Sequence, residues 1–318
     1  MLKTACAVLL FLNTVCALAA YPDKPIRIIV PYVPGGNIDI TARTLAPGLS
    51  EALGQTIVVE NRGGAGGTIG TEIAARAPAD GYTLLLGSSG TLTNAPALYP
   101  KLGYDPLKDF ATTSMTTLVP IVIEAHPSVP VRTVREFIAL VKARPDRITM
   151  ASAGSGSSNH LAGALFQKAT DTRLIHVPYK GSGAALVDLM GGQVDVFFDQ
   201  LSSSIGYLQA GKLRPIAVTT LKRSPYLAAV PSAHESGVTG FDASTVTGIT
   251  LPAATPSEVV AKLHGALIKV LRAKATRDAF ARFGAETLES TPEEFAKFIR
   301  DDLAKWNKLV QETGIKLE

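Results

Sequence analysis

Short runs of β-branched and apolar residues alternate along this chain with longer stretches in which apolar residues recur every third or fourth position. The first pattern reads as buried strand, the second as amphipathic helix. Ile26-Arg27-Ile28-Ile29-Val30 opens the series and runs into Pro34, Gly35 and Gly36. A helical pattern over 38–53 follows, with Pro47 inside it predicting a kink. A second strand is predicted over 55–61, a helix over 67–77 and a third strand over 82–88. This order predicts a parallel sheet with helices on both faces.

The rhythm repeats in different residues further on. Strands are predicted over 147–152, 173–179, 194–199 and 213–220, with helices over 159–169, 183–192 and 204–211. Between the two units lies an extended, proline-closed stretch, 118–130, and a similar one, 240–256, follows the second. Two such crossings predict an α/β molecule of two lobes: 20–121 plus 247–318 in the first, 122–246 in the second. Amphipathic helical stretches at 256–284 and 291–314 are expected to pack back on the first lobe. The last one opens on Thr291, Pro292 and Glu294, a capping box with proline at the first helical position.

The N-terminal residues 1–19 carry one early lysine, Lys3, an apolar run and Ala17-Leu18-Ala19. This reads as a secretory signal peptide cut near Ala19, the alternative being an uncleaved anchor. The apolar run is too short to span a bilayer comfortably. Cys16 lacks the small preceding residue that a lipidated cysteine wants. Cys6 and Cys16 are the two cysteines of the chain. The mature protein is therefore expected to be exported yet free of disulfide and thiol chemistry. Net charge is +4 and the basic residues are scattered, which argues against a nucleic-acid surface.

Four loops carry candidate chemistry. In open parallel sheets ligands sit where the strand order reverses, above the first and third strands of each unit. That rule selects 33–39, 87–94, 152–160 and 198–204. Gly35 and Gly36 let backbone N–H groups approach a ligand at a helix start, which favours anions. Residues 152–159 are dense in serine, glycine and asparagine. The glycine-rich stretch after the second strand has Gly64, Gly66 and Gly70, spaced wrongly for a dinucleotide fingerprint. It follows an edge strand and is read as a tight turn away from the site. The five histidines show no metal spacing. A Ser157/His160 pair suggests an exported serine hydrolase as an alternative, although His160 at a helix start is more simply a packing or capping residue. Asp39 and Arg43, four apart, are expected to pair.

The segments PYVPGGNIDITAR, VVENRGGAGGTIG, DGYTLLLGSSGT, YDPLKDF, ASAGSGSSNHLAGALF, VPYKGSGAALVDLMGGQVDVFFD and GKLRPIAVT together resemble the solute-binding receptors of tripartite tricarboxylate transporters, the Bug proteins. The resemblance spans about residues 22–318. It implies a periplasmic binding protein type II-like fold: two doubly wound α/β lobes, joined by two crossover strands, that close on a small organic acid by hinge motion. It implies no enzyme activity, no cofactor and no metal, a monomer, and membrane transporter subunits or a sensor kinase as partner. It implies a ligand carboxylate held by backbone N–H groups, hydroxyls and water, in keeping with four loops that contain no lysine or arginine.

Carried over residue by residue, the implied ligand contacts are Tyr32, Gly35, Gly36 and Asp39 from the first loop and Ser88, Ser89 and Thr91 from the second. Ser155, Gly156, Ser157 and Asn159 come from the third loop, and Asp199 is implied as a reader of the distal group. Tyr179, beside Lys180, matches a family motif on an edge strand, with lobe packing as its alternative role. Two departures stand out: Val246-Thr247 where the family commonly has a tryptophan and a second aromatic, and Pro34 where alanine is common. A third reading, a structural or scavenging protein with no defined ligand, stays open.

Overall fold

The computed structural model describes residues 21–315. The signal-peptide reading, with Cys6 and Cys16, lies outside the described residues. Among the described residues no helix is long and apolar enough to cross a membrane.

The elements run in the order β1 (Ile26–Val30), α1 (Asn37–Leu53), β2 (Ile57–Asn61), α2 (Thr68–Ala75), β3 (Thr83–Ser88), α3 (Ala95–Leu98), β4 (Phe110–Ala125), α4 (Val134–Ala143), β5 (Thr149–Ser152) and α5 (Ser158–Thr170). Then follow β6 (Ile175–Pro178), α6 (Ser182–Met190), β7 (Val196–Gln200), α7 (Leu201–Gln209), β8 (Arg214–Val218), β9 (Ser244–Pro252), α8 (Ser257–Arg272), α9 (Lys274–Arg282), β10 (Glu286–Thr287) and α10 (Pro292–Thr313).

The strands pair in the order β2-β1-β3-β9-β4-β7-β5-β6, with β8 and β10 also pairing β4. The two parallel groups expected from the sequence, β2-β1-β3 and β7-β5-β6, are thus joined edge to edge through two antiparallel strands. β9 pairs antiparallel with β3 and with β4. β4 is long enough to serve both groups: Phe110–Pro120 pairs with β9, and Ile121–Ala125 pairs with β7. The reversal of order between β1 and β3, and again between β5 and β7, places two switch points along the sheet.

Burial explains the strand composition. Ile26, Ile28, Ile29 and Val30 are all fully buried, as a central parallel strand covered on both faces requires. β2 lies at the edge, and its Val58 is exposed. One core cluster joins α1, α6, α7 and α8 to one face of the sheet. A second stacks Phe137, Phe166, Phe198 and Phe241 beneath the other face of the β5–β7 group. The Phe166 ring centre lies 5.5, 5.4 and 5.9 Å from those of its three partners.

α1 continues through Pro47 to Leu53, the end the helical pattern predicts. Tertiary packing holds it there, since a Cβ at Gly48 would stand 2.9 Å from Val270 on α8. α10 starts at the expected capping box and returns to the β3 end of the sheet, where Thr93 donates to Asp302 at 2.7 Å. α4 lies in a stretch given no element by the sequence reading, although Val134, Phe137 and Val141 form an apolar stripe behind a Thr133 cap. The end of β3 also turns directly into a wide helical turn, Gly90–Asn94, instead of a loop.

Candidate functional site

A narrow polar cavity lies where the C-terminal ends of β1, β3, β5 and β7 converge. Its empty space is about 300 Å3, open mouth included. Tyr32, Gly36, Asn37 and Ile38 line it from the β1–α1 turn, and Ser88 from the end of β3. Ala153, Ser158 and Asn159 enter from the β5–α5 turn, Ser182 from the start of α6, Gln200 from the end of β7 and Thr245 from β9. None of these lining side chains is charged.

Two helices aim uncapped N-termini at this space. The N-caps of α1 and α6 are Gly36 and Gly181, and neither supplies a side-chain cap. Helix starts without caps leave backbone N–H groups free and carry partial positive charge. α5, by contrast, is capped by Ser157, whose hydroxyl accepts from the His160 N–H at 3.3 Å. The Asn37 amide adds a donor. Its Oδ1 accepts from Ser202 at 2.8 Å, while its buried Nδ2 has no partner. A cavity with free donors and no cation suits an anion whose charge is spread over several oxygens.

The two switch points touch across the cavity. Tyr99 donates to the Ser155 carbonyl at 3.0 Å, while the Tyr32 hydroxyl, donating to the Gly66 carbonyl at 2.9 Å, ties the β1–α1 turn to the neighbouring glycine loop. Gln200 Nε2 donates to Thr245 at 3.1 Å, and Asn94 Nδ2 reaches Ser158 at 3.4 Å. A Cβ at Gly183 would stand 2.2 Å from the Pro34 carbonyl, so the α6 start needs glycine to approach the β1–α1 turn.

A sequence model described as the tripartite tricarboxylate transporter family receptor matches residues 41–315. The chain belongs to that receptor family. It is 40% identical over 299 residues to the protein BugT of Bordetella pertussis (strain Tohama I), covering 94% of this chain and 92% of BugT. The structure of an R. palustris protein with adipate superposes with a TM-score of 0.90 at 34% identity, covering 93% of this chain and 99% of that one. MatC from Rhodopseudomonas palustris, with bound malate, superposes at 0.88 and 33% identity, covering 91% and 100%. The family comprises periplasmic solute-binding receptors, not enzymes.

Ser157 and His160 do not form a nucleophile and base in this structure. The His160 ring turns away from the Ser157 hydroxyl: its Nδ1 accepts from the Gly156 N–H at 3.2 Å. Its face stacks on His176 with ring centres 4.1 Å apart. Burial, and then the neighbouring His176, push its pKa down to about 3.

Of the residues named from the sequence, the receptor brings Tyr32, Gly36, Ser88 and Asn159 to the cavity wall. Gly35 and Asp39 stand one step behind. Gly35, at φ +90°, donates its N–H to Asp39 at 3.0 Å. Arg43 and Asn61 each donate to Asp39 at 3.0 Å. Burial works to raise the Asp39 carboxyl, but these hydrogen bonds outweigh it and hold it below the ordinary range. Asp39 thus fixes the shape of the turn and has little left to offer a ligand.

Ser89 is occupied with the backbone of Val246, whose N–H it accepts at 3.2 Å. Thr91 turns its hydroxyl back on Ser88. Ser155 and Gly156 form the turn that meets Gly66, and Ser157 is spent as a cap. Tyr179 donates to Asp188 at 2.7 Å, outside the cavity lining. Asp199 is fully buried behind the wall, accepting from Ser182 at 2.7 Å and Asn159 at 3.1 Å.

The glycine loop after β2 packs beside the cavity. It lines no part of the cavity but is not remote from it. It leans over the end of β1, and a Cβ at Gly66 would stand 2.0 Å from the Ser155 carbonyl. Asn37, Ile38, Ala153, Ser158, Ser182, Gln200 and Thr245 were absent from the sequence-based set. Asn37 and Ser158 were within reach of the switch-point rule, as neighbours of Gly36 and Ser157. Ser182 arrives after an edge strand, and Thr245 from the start of β9, which is not one of the parallel strands the switch-point rule uses.

Proposed function

We propose that this receptor captures a small organic carboxylate in the cavity and delivers it to the membrane subunits of a tripartite tricarboxylate-type transporter. The observation that supports this most is the donor set: two uncapped helix N-termini and the unpartnered Asn37 amide, with no cation among the lining residues. The adipate and malate held by its relatives have the same chemistry. We take the receptor to act in the periplasm after export, as a monomer.

Capture works by closure. We divide the chain into 20–121 plus 247–318 and 122–246, with β4 and β9 as the crossovers. The contacts of Tyr99 with Ser155 and Asn94 with Ser158 then complete the wall around the ligand. Closure removes the carboxylate from water and strengthens each N–H bond to it.

The experiment is thermal unfolding of the mature protein against mono-, di- and tricarboxylates, acidic amino acids and aromatic acids, malate and adipate included. An acid at 100 times its Kd adds about 2.7 kcal/mol, a shift of a few degrees for a chain this size. One clear responder is the expected result. No responder, in protein freed of co-purified ligand by unfolding and refolding, would overturn the proposal.

A further inference from the structure

Behind the cavity wall, β4 and β7 bring two carboxyl groups together with no cation between them. Val122 registers with Asp199 and Glu124 with Phe197, so Glu124 and Asp199 stand diagonally on one face of the sheet. Both are fully buried. Both oxygens of Glu124 and Oδ2 of Asp199 lack a hydrogen-bond partner. The hydroxyls of Ser203 and Ser204, on α7, lie beside the pair and close no regular hydrogen bond of their own.

The charged and titratable groups of the surrounding elements are engaged elsewhere or carry no compensating charge. Arg214, on β8, spends its guanidinium on the carbonyls of Pro127, Val129 and Val131. Asp188, on α6, is held by Tyr179, and His160, on α5, stacks on His176. Lys168 lies in the last turn of α5, at the far end from Asn159, and α7 brings only Tyr207. On α1, Asp39 and Arg43 hold each other.

Two ionised carboxyls in a dry interior without a cation cost several kcal/mol each, and one proton relieves most of that. Burial pushes the pKa of both upward. Asp199 rises to about 7 despite the hydrogen bonds from Ser182 and Asn159. Glu124, buried and then with the Asp199 charge beside it, is also raised well above its ordinary value, the Ser204 hydroxyl opposing this only weakly.

We propose that Glu124 and Asp199 share a proton at neutral pH, and that this proton makes Asp199 a positioning residue of the anion cavity. Asp199 keeps one oxygen for Ser182 and Asn159, which line the cavity, and shares the proton through the other. The wall then backs the ligand with no more than one negative charge. Two charges there would oppose the helix N-termini that face the anion. The use of the proton rests on the carboxylate-capture reading; the proton itself belongs to the ligand-free protein.

The test uses the full mature protein without ligand. Infrared spectroscopy at pH 7 is expected to show the C=O stretch of a protonated carboxyl in the wild type, lost in Glu124→Gln/Asp199→Asn. Between the ordinary carboxyl value of about 4 and the raised Asp199 value of about 7, the folded form binds more protons than the unfolded one. Wild-type stability therefore falls with rising pH in that window. Glu124→Gln removes one of the two carboxyls, so its stability relative to wild type is expected to rise across the same window.

No protonated-carboxyl band in the wild type would overturn the proposal, as would a Glu124→Gln difference that does not change with pH. If that variant does not fold, the wild-type spectrum alone decides. Neither readout needs a ligand, so a silent acid panel leaves both standing, and their failure leaves the receptor reading standing.

Discussion

The Ser202 hydroxyl donates to Asn37 Oδ1 at 2.8 Å, tying the start of α7 to the first residue of α1. That bond fixes which way the Asn37 amide faces: the oxygen is taken, and the Nδ2 donor is left beside the cavity without a partner. A carboxylate is the partner that fits it. Hydrogen bonds to a charged group contribute about 1.5–3 kcal/mol. Asn37→Ala is therefore expected to weaken binding of the responding acid by about 10- to 100-fold. Asn37→Asp, which sets a negative charge at the same place, is expected to weaken it further. Calorimetric titration of both variants checks this. Unchanged affinity in Asn37→Asp would remove the amide from the site.

Gly66 separates backbone strain from closure. It sits at φ +63°, and an added Cβ would meet the Ser155 carbonyl at 2.0 Å. Gly54 has a similar φ of +68°, but a Cβ there meets nothing within 4 Å. Both alanine variants are expected to lose about 1 kcal/mol of stability from the left-handed conformation. Only Gly66→Ala is expected to lose ligand affinity as well, by about tenfold or more, which is about 1.4 kcal/mol of lost closure contact. Chemical unfolding gives the first quantity and titration the second. Equal affinities in the two variants would mean that the Gly66–Ser155 contact plays no part in capture.

Asp39 shapes the turn rather than the ligand. Its carboxylate accepts from the Gly35 N–H, Arg43 and Asn61, which sets where Gly36 and Asn37 stand. Asp39→Ala is expected to cost about 2 kcal/mol of stability through lost hydrogen bonds to a charged group, and to weaken acid binding too. The Asp39 carboxyl is held below its ordinary range, so its contribution is present at neutral pH and lost as pH falls through that lowered value. Acid unfolding of wild type and Asp39→Asn is expected to converge at low pH. Parallel curves would contradict this.

The sheet was readable because its strands are apolar on both faces, and Ile26–Val30 has no other use in a chain of this composition. Gly36 and Asn159 were readable as cavity positions because helix starts at a switch point demand small residues and donors. What stayed hidden depends on how the two ends of the sheet meet. Ser182 reaches the cavity only because Gly183 slides against Pro34, a contact between residues some 150 positions apart. Ser89 and Thr91 have the right chemistry, but Val246 and Ser88 already occupy it. Sequence shows that such hydroxyls exist, and packing decides which remain free.

His160 offers a last prediction, with a sign opposite to that of the buried carboxyl pair. Its Nδ1 accepts from the Gly156 N–H, which holds the turn that touches Gly66. Protonation removes that acceptor and places a charge against His176. Burial, with His176 second, lowers the pKa to about 3. The unfolded chain, with an ordinary value of about 6.5, binds the proton first. Stability from neutral His160 is therefore complete above about 6.5 and is lost as pH falls toward about 3. His160→Gln retains an acceptor that cannot charge. Relative to wild type, it is expected to gain stability as pH falls from 6.5 to about 4. Unfolding curves of the two proteins across that range check the slope, and a constant difference would place the His160 proton elsewhere. An ester substrate supplied to either protein is expected to stay intact, since the Ser157 hydroxyl meets the His160 N–H rather than its ring, and Ser152, 2.7 Å from His176 Nε2, is fully buried.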